Sequence, residues 1–226
     1  GLETIEGFRF GGGYSSRSFV TDERRNIIEY SNCFVLVVDG IIDSIEELLP
    51  VLELTAREKR PLLVIAEEVQ GQALAALIMN TVRGTMKVAA VKSPRYGEER
   101  RNILEDLALS TGATLVSGAS GVTLSGVKLE HLGFVKKAEV TKSTTVLVGG
   151  RSNQEKVQDR IEALKSELKQ TPHTPLGMTE CEKIQERITR LISAVAVIRV
   201  GAPTEIEMLE KKHRIEDALE AVKSAQ

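Results

Sequence analysis

Three apolar runs rich in β-branched residues constrain the fold of this chain more than any other feature. The runs are CFVLVVDG (residues 33–40), PLLVIAEE (61–68) and MKVAAVKSP (86–94). They are apolar along most of their length, and a helical pattern separates each run from the next. Strands of this kind, joined by helices, are typical of a parallel sheet that is covered on both faces. The sequence therefore predicts an α/β fold, with ATLVSG (113–118) as a weaker fourth strand.

Three helices are expected around these strands, at residues 44–59, 70–83 and 97–112. Ser44 and Glu47 have the spacing of a capping box at the start of the first helix. Pro50 falls after the first turn, so it should kink that helix or move its start to a later residue. Gly112 follows the third helix as a stop signal.

The second half of the chain predicts a β-hairpin followed by charged helices. GFVKKAEVTKSTTVLVGG (133–150) reads as two strands with a turn near Lys142 and Ser143. The next two helices carry apolar residues at helical spacing and should pair as an antiparallel hairpin. These two helices are expected at residues 152–170 and 178–194. A strand at 194–201 and a last helix from Thr204 onward follow them.

The charge balance gives no reason to expect a nucleic-acid or membrane partner. The 226 residues include 30 Lys and Arg against 32 Asp and Glu, a net charge of −2. Aromatic residues make up 4% of the chain, so platforms for base stacking are also not expected. No apolar run is long enough to span a membrane, and no signal peptide is recognisable. Cys33 and Cys181 lie far apart without metal spacing, which favours a reducing compartment and predicts no metal site.

Patterns that would indicate catalysis are weak. The glycine-rich stretch GFRFGGGYSS (7–16) could cradle a phosphate, but it matches neither the dinucleotide-binding nor the P-loop pattern. A flexible loop or hinge is the favoured interpretation. SGASG (117–121) lacks the register of a nucleophile elbow and predicts a turn. Three histidines have no metal-ligand spacing and are expected at the surface: His131, His173 and His213.

The helix at 70–83 is apolar almost all the way round, although the chain is rich in charge. With Leu74 at zero, Ile78 falls at about 40°, Met79 at about 140° and Leu77 at about 300°. The preceding helix is also too apolar for one core-facing stripe. Two interpretations are equally open: both helices are sandwiched, or each exposes one face of a groove for apolar polypeptide. Met79 suits a groove because its flexible thioether adapts to varied partners.

Three long segments of the sequence help to choose between a sandwiched helix pair and an exposed groove, and they cover much of the chain. They are LLPVLELTAREKRPLLVIAEEVQGQALAALIMNTVRG (48–84), KVAAVKSPRYGEERRNILEDLALSTGA (87–113) and AVAVIRVGAPTEIEMLEKKHRIEDALEA (194–221). In this order they resemble the group I chaperonins, the GroEL-like family. The resemblance implies a chaperonin apical domain, a layered sheet flanked by helices, at residues 8–193. It also implies a partial α/β intermediate domain formed by residues 1–7 and 194–226, and an equatorial ATP-binding domain absent from this chain.

The resemblance further implies a molecular chaperone that binds non-native polypeptides and a co-chaperonin through an apolar groove between two helices. In the full-length protein the groove would belong to an ATP-driven, homo-oligomeric folding ring. Position by position, the groove maps onto Tyr14, Phe19, Leu49, Leu52, Leu74, Ile78 and Met79, with Asn80 and Arg83 at its polar edge. Leu77, Ala73 and Ala76 should then face the sheet.

Asp217 matches the family's aspartate that assists ATP hydrolysis, a role a carboxylate can fill by ordering water and meeting the metal. The full-length protein is therefore expected to be an ATPase that binds ATP and Mg. This chain alone is expected to be monomeric, to bind no cofactor and not to act as an enzyme. The resemblance implies the cytoplasm of a bacterium or phage-infected host, or an organelle matrix or stroma.

Several positions depart from the family pattern. Gly7 keeps one hinge glycine, but the usual glycine pair of the second hinge is Ser193 and Ala194 here. Gly12 stands where the family has a basic residue, so the family's pairing with the position of Glu205 cannot form. Because side chains restrict backbone freedom more than glycine does, altered domain rotation and subunit coupling are expected.

Two other classes of function stay open on the residues alone. The first is a Rossmann-like small-molecule or nucleotide-binding enzyme domain that uses the glycine-rich stretch as its phosphate loop. The second is a purely structural role in which an assembly covers both apolar helices.

Overall fold

The structure is a computed structural model that describes residues 7–196 of the chain. This part folds into strands and helices that alternate over its first half, so the α/β prediction is confirmed. The strands are β1 (Phe8–Phe10), β2 (Ile28–Val37), β3 (Ile41–Ile42), β4 (Leu62–Ala66), β5 (Glu68–Val69), β6 (Val88–Lys92), β7 (Gly133–Val140) and β8 (Thr145–Gly150). The helices are α1 (Ile45–Glu58), α2 (Gly71–Arg83), α3 (Gly97–Thr111), α4 (Gln154–Gln170) and α5 (Pro175–Ala194).

The main sheet has six strands in the order β1-β8-β7-β2-β4-β6. The three predicted apolar strands are confirmed as β2, β4 and β6, and they pair in parallel. The other three strands join by antiparallel pairing, which includes the predicted β7–β8 hairpin. The sheet is therefore mixed rather than largely parallel. β3 and β5 form a separate parallel pair.

The central strands explain why their sequences are apolar without alternation. All five residues of β4, Leu62–Ala66, have no exposed surface, and the same holds for Val88, Ala89, Ala90 and Val91 of β6. α2 packs against β6, and α3 packs against β2, β7 and β8. Each large apolar side chain buried in this way contributes about 1.5–3 kcal/mol of transfer free energy.

Two local predictions are wrong. The run at 113–118 forms no strand, because its only pairing with the sheet is an isolated bridge between Val116 and Val38. Ser44 precedes α1 but makes no capping box; its hydroxyl donates instead to Glu46 Oε1 at 2.9 Å. Of the two effects expected of Pro50, a later start is excluded, because α1 begins at Ile45.

The helices α4 and α5 pack against each other through a second apolar cluster, as predicted. α5 begins three residues earlier than expected, because the Thr174 side chain accepts a hydrogen bond from the Gly177 amide and Pro175 is suited to a first helical turn. The cluster comprises Val157, Ile161, Leu164, Ile184, Ile188 and Leu191.

The glycine-rich segment, residues 11–15, is bonded to the edge of β6 instead of forming a free loop. The Ser15 amide donates to the Ala90 carbonyl, and the Lys92 amide donates to the Gly13 carbonyl. A Cβ atom on Gly12 would collide with the Lys92 carbonyl. Glycine is therefore required here by close packing, and the segment is not a free loop.

Some expectations lie outside the described residues. These are the strand and helix after residue 196, the intermediate-domain segments at 1–6 and 197–226, and three single residues: Glu205, His213 and Asp217.

Candidate functional site

The outer face of α2 carries exposed apolar side chains. Ala73 and Leu77 are fully buried, as expected for residues that face inward. Met79 is 47% exposed and Val82 is 66% exposed. No described residue covers this outer face, so within residues 7–196 the helix is not sandwiched.

α2 contacts α1, and Thr85 caps the end of α2 near this contact. The Thr85 hydroxyl donates to the Asn80 carbonyl at 3.1 Å and lies 2.8 Å from Asn80 Oδ1. Thr85 and Ala56 of α1 line the same cavity of about 260 Å³. Ala76 precedes Asn80 by one helical turn, and its carbonyl accepts a hydrogen bond from the Asn80 side-chain amide at 2.9 Å. Ala76 is partly buried, whereas Ala73 and Leu77 are fully buried.

One side of α2 faces the chain's opening segment. Leu74 lines a larger cavity, of about 640 Å³, together with the glycine-rich segment. Ile78 is four residues further on and lies on the same side. Both side chains are partly buried against the main core. The predicted groove residues of α2 therefore divide between two sides, with Met79 pointing outward between them.

On α1, the predicted pair Leu49 and Leu52 differs in exposure. Both lie on the side that carries Ala56, seven and four residues before it, and Ala56 shares a cavity with the segment that follows α2. Leu49 is 46% exposed, whereas Leu52 is only 6% exposed. Leu49 can therefore contact a partner, and Leu52 supports the surface from beneath.

Phe19 is a core residue, contrary to the expectation that it lines an open groove, and Tyr14 is mostly buried although it borders the cavity of about 640 Å³. Phe19 has no exposed surface and Tyr14 is 9% exposed, with its hydroxyl donating to the Asn26 carbonyl at 3.3 Å. The cause is a 3-10 turn at Arg17–Phe19, in which the Ser16 side chain accepts from the Ser18 amide. The turn places Phe19 inward and leaves Ser18 exposed.

We call the resulting patch the α1–α2 surface. Sequence reasoning missed Ile45 and Ala76, which are partly buried, although each sits one helical turn from a predicted residue and could have been found by that spacing. Val82 extends the patch outward. The α1–α2 surface comprises Ile45, Leu49, Ala76, Met79 and Val82, with Asn80 and Arg83 on its edge.

Charges of both signs border the α1–α2 surface. On α1, Glu46 and Glu53 lie beyond Leu49, about 60° and 40° further round the helix. Hydrogen bonds from its own backbone amide and from the Ser44 hydroxyl lower the pKa of Glu46, so it is ionised at neutral pH. On α2, the exposed Arg83 supplies a positive charge.

The titratable groups buried in the core show no sign of activation. Burial raises the pKa of the Cys33 thiol and of the Tyr30 hydroxyl well above their ordinary values. A thiol held in its protonated form is a poor nucleophile. Residues 7–196 contain no group of three or more His, Cys, Asp or Glu that could hold a metal ion. None of the helices in the same range is both long and apolar enough to cross a membrane.

The predicted hinge residues lie at the two ends of the described chain. Gly7 is buried, and a Cβ atom there would lie 2.7 Å from the Leu147 carbonyl oxygen. Ser193 and Ala194 end α5, and Ala194 packs against the main core. Asp217, the predicted catalytic residue of the full-length protein, lies outside the described residues.

No protein-family model matches this chain.

Proposed function

We propose that this chain is the polypeptide-binding part of a molecular chaperone, and that the α1–α2 surface holds apolar segments of non-native polypeptides. The observation that carries the proposal is the exposure of Leu49 and Met79 on two helices that contact each other. Exposed apolar side chains gathered in one patch indicate an interaction site. Burying apolar area gains about 25 cal/mol per Å² and has no directional requirement, so many different sequences can bind.

The wider assembly follows from the resemblance to group I chaperonins. In that setting the residues at 8–193 are an apical domain, and a co-chaperonin competes with the client for the α1–α2 surface. The full-length protein is then a ring in which ATP and Mg bind an equatorial domain outside this chain, and Asp217 assists hydrolysis. The site supports this proposal through its exposed apolar residues and the mixed charges at its edge.

A Rossmann-like nucleotide site is less well supported. A dinucleotide-binding loop needs glycines in the turn between a strand and a helix, with the phosphates at the helix amino terminus. Here the glycines run along the edge of β6 and lead into the 3-10 turn at Arg17–Phe19.

The proposal is tested by measuring how tightly the chain binds a permanently unfolded, fluorescently labelled protein. Leu49→Ser combined with Met79→Ser should weaken binding at least tenfold, because both exposed anchors are lost. A matched control is Leu176→Ser combined with Met178→Ser, which removes an exposed Leu and Met at the start of α5. Equal effects of the two double variants, or no effect of the first, would contradict the proposal.

A further inference from the structure

The cavity that Leu74 lines lies at the carboxyl ends of the parallel strands β4 and β6. Its volume is about 640 Å³, which is within the range of small-molecule sites. Ligands of α/β proteins bind in the crevice outside the carboxyl ends of parallel strands. Four segments line the cavity: the glycine-rich segment, the β5–α2 junction, the loop after β6 and the β7–β8 turn.

The lining of this cavity is positively charged. It contains Lys92, Arg95 and Lys142 against a single acidic residue, Glu68. Lys92 and Glu68 are 3.9 Å apart and both are substantially exposed, so that pair is weak. Arg95 pairs with Glu99, which lies outside the lining. Lys142 forms no ion pair with any described residue.

The amino terminus of α2 opens into the same cavity through Gln70 and Gly71. The first backbone amides of a helix have no partner within the helix, and they attract oxyanions. In the described chain, the Gln70 side chain does not cap them, and the first turn of α2 carries no acidic residue. The helix therefore adds uncapped N–H donors to the three basic side chains.

Ser93 gives an independent indication of a missing polar partner. It lines the cavity, it is only 5% exposed, and its hydroxyl has no hydrogen-bond partner among the described residues. Buried hydroxyls in folded proteins are nearly always paired, and an unpaired one calls for an unseen polar partner.

The glycines explain how the basic residues come together. A Cβ atom on Gly12 would collide with the Lys92 carbonyl, and one on Gly13 would collide with the Lys142 carbonyl. The two glycines therefore allow the end of β6 and the β7–β8 turn to approach the same stretch of backbone. That approach brings Lys92 and Lys142 to one cavity.

We propose that this cavity binds a small phosphate-bearing molecule, with phosphate oxygens at the amino terminus of α2 and Lys92, Arg95 and Lys142 around them. The proposal goes beyond polypeptide binding and does not depend on it. The α1–α2 surface and this cavity lie on different faces of α2.

The test is a titration of the 226-residue, ¹⁵N-labelled chain with pyrophosphate at fixed ionic strength, followed by amide NMR. The amides of Gly13, Gly71 and Gln72 should shift saturably. Lys92→Gln combined with Lys142→Gln should raise the dissociation constant at least tenfold while the rest of the spectrum stays folded. The control Lys156→Gln removes an exposed lysine of α4 and should change nothing.

Three results would overturn the proposal. The first is the lack of any saturable shift. The second is unchanged affinity in the double lysine variant. The third is tighter binding of citrate than of pyrophosphate, which would mean a general polyanion site in place of a phosphate site.

Discussion

Asp106 on α3 bonds to a residue of α4 and to a residue of α5. It is fully buried, and it accepts hydrogen bonds from Arg160 at 2.8 Å and from Arg187 at 2.7 and 2.9 Å. Burial disfavours the charged form of Arg187, but the hydrogen bonds and charge of Asp106, together with the charges of Glu167 and Glu105, outweigh it, so the pKa of Arg187 is raised. The three charges therefore form one bonded unit at the base of the helical hairpin.

Asp106→Asn should lower the free energy of unfolding by about 3 kcal/mol, because two arginines lose the charge that compensates their partial burial. Urea-induced unfolding of the chain measures this change. Asp159→Asn, at an exposed position of α4, is the matched control and should change stability by less than about 0.5 kcal/mol. A loss below about 1 kcal/mol at Asp106 would show that the hairpin is held by its apolar cluster alone.

The role of Asp106 could not be predicted from the sequence. Its partners are 54 and 81 residues away, and a carboxylate in a charged helix reads as a solvated side chain. Phe19 illustrates the reverse case. The resemblance indicated an exposed aromatic, but the local 3-10 turn and the core beneath it bury the ring completely.

At the scale of elements, the sequence predicted α2 well as a helix but not the roles of its sides. Its limits were expected within one residue, and Gly84 ends it in a left-handed conformation at φ 74°. Apolar residues cover nearly the whole circumference, so no amphipathic direction indicates which side meets α1. Only tertiary packing distinguishes the sides, as where Leu74 lines a cavity with the opening segment.

The glycine-rich segment makes a prediction of its own. Gly13→Ala should destabilise the protein by about 2 kcal/mol, because the added methyl group collides with the backbone of the β7–β8 turn. Gly11→Ala is the control, since nothing lies within 4 Å of its Cβ position. Thermal unfolding followed by circular dichroism compares the two variants. Equal melting temperatures of the two variants would show that the glycine-rich segment can shift to accommodate the methyl group without loss of stability.

At the scale of the whole molecule, the opening segment meets both edges of the main sheet. β1 pairs with β8 at one edge, and Tyr14 bridges Val91 of β6 at the other. The same stretch of eight residues, from 8 to 15, thus supplies one edge strand, β1, and covers part of the other edge, at β6. Covered edges protect a sheet from pairing with other chains, which matters for a protein proposed to handle unfolded polypeptides.

The sequence predicted the class of fold and most of its elements, because apolar runs and helix stops are local signals. It did not predict the mixed pairing of the sheet. β1 is three residues long and pairs with β8 about 137 residues further along, and such distant contacts leave no periodic pattern. The cavity at the ends of β4 and β6 was missed for the same reason, since its basic residues come from separate segments.

The central claim is that unfolded polypeptide binds the α1–α2 surface, and methionine methyl NMR tests it most directly. Met79 lies on that surface and is 47% exposed, while Met178, at the start of α5, is 49% exposed and serves as an internal control. During titration with an unfolded protein, we expect the Met79 methyl signal to shift or broaden and the Met178 signal to stay unchanged. Binding that moves Met178 and leaves Met79 unchanged would contradict the account.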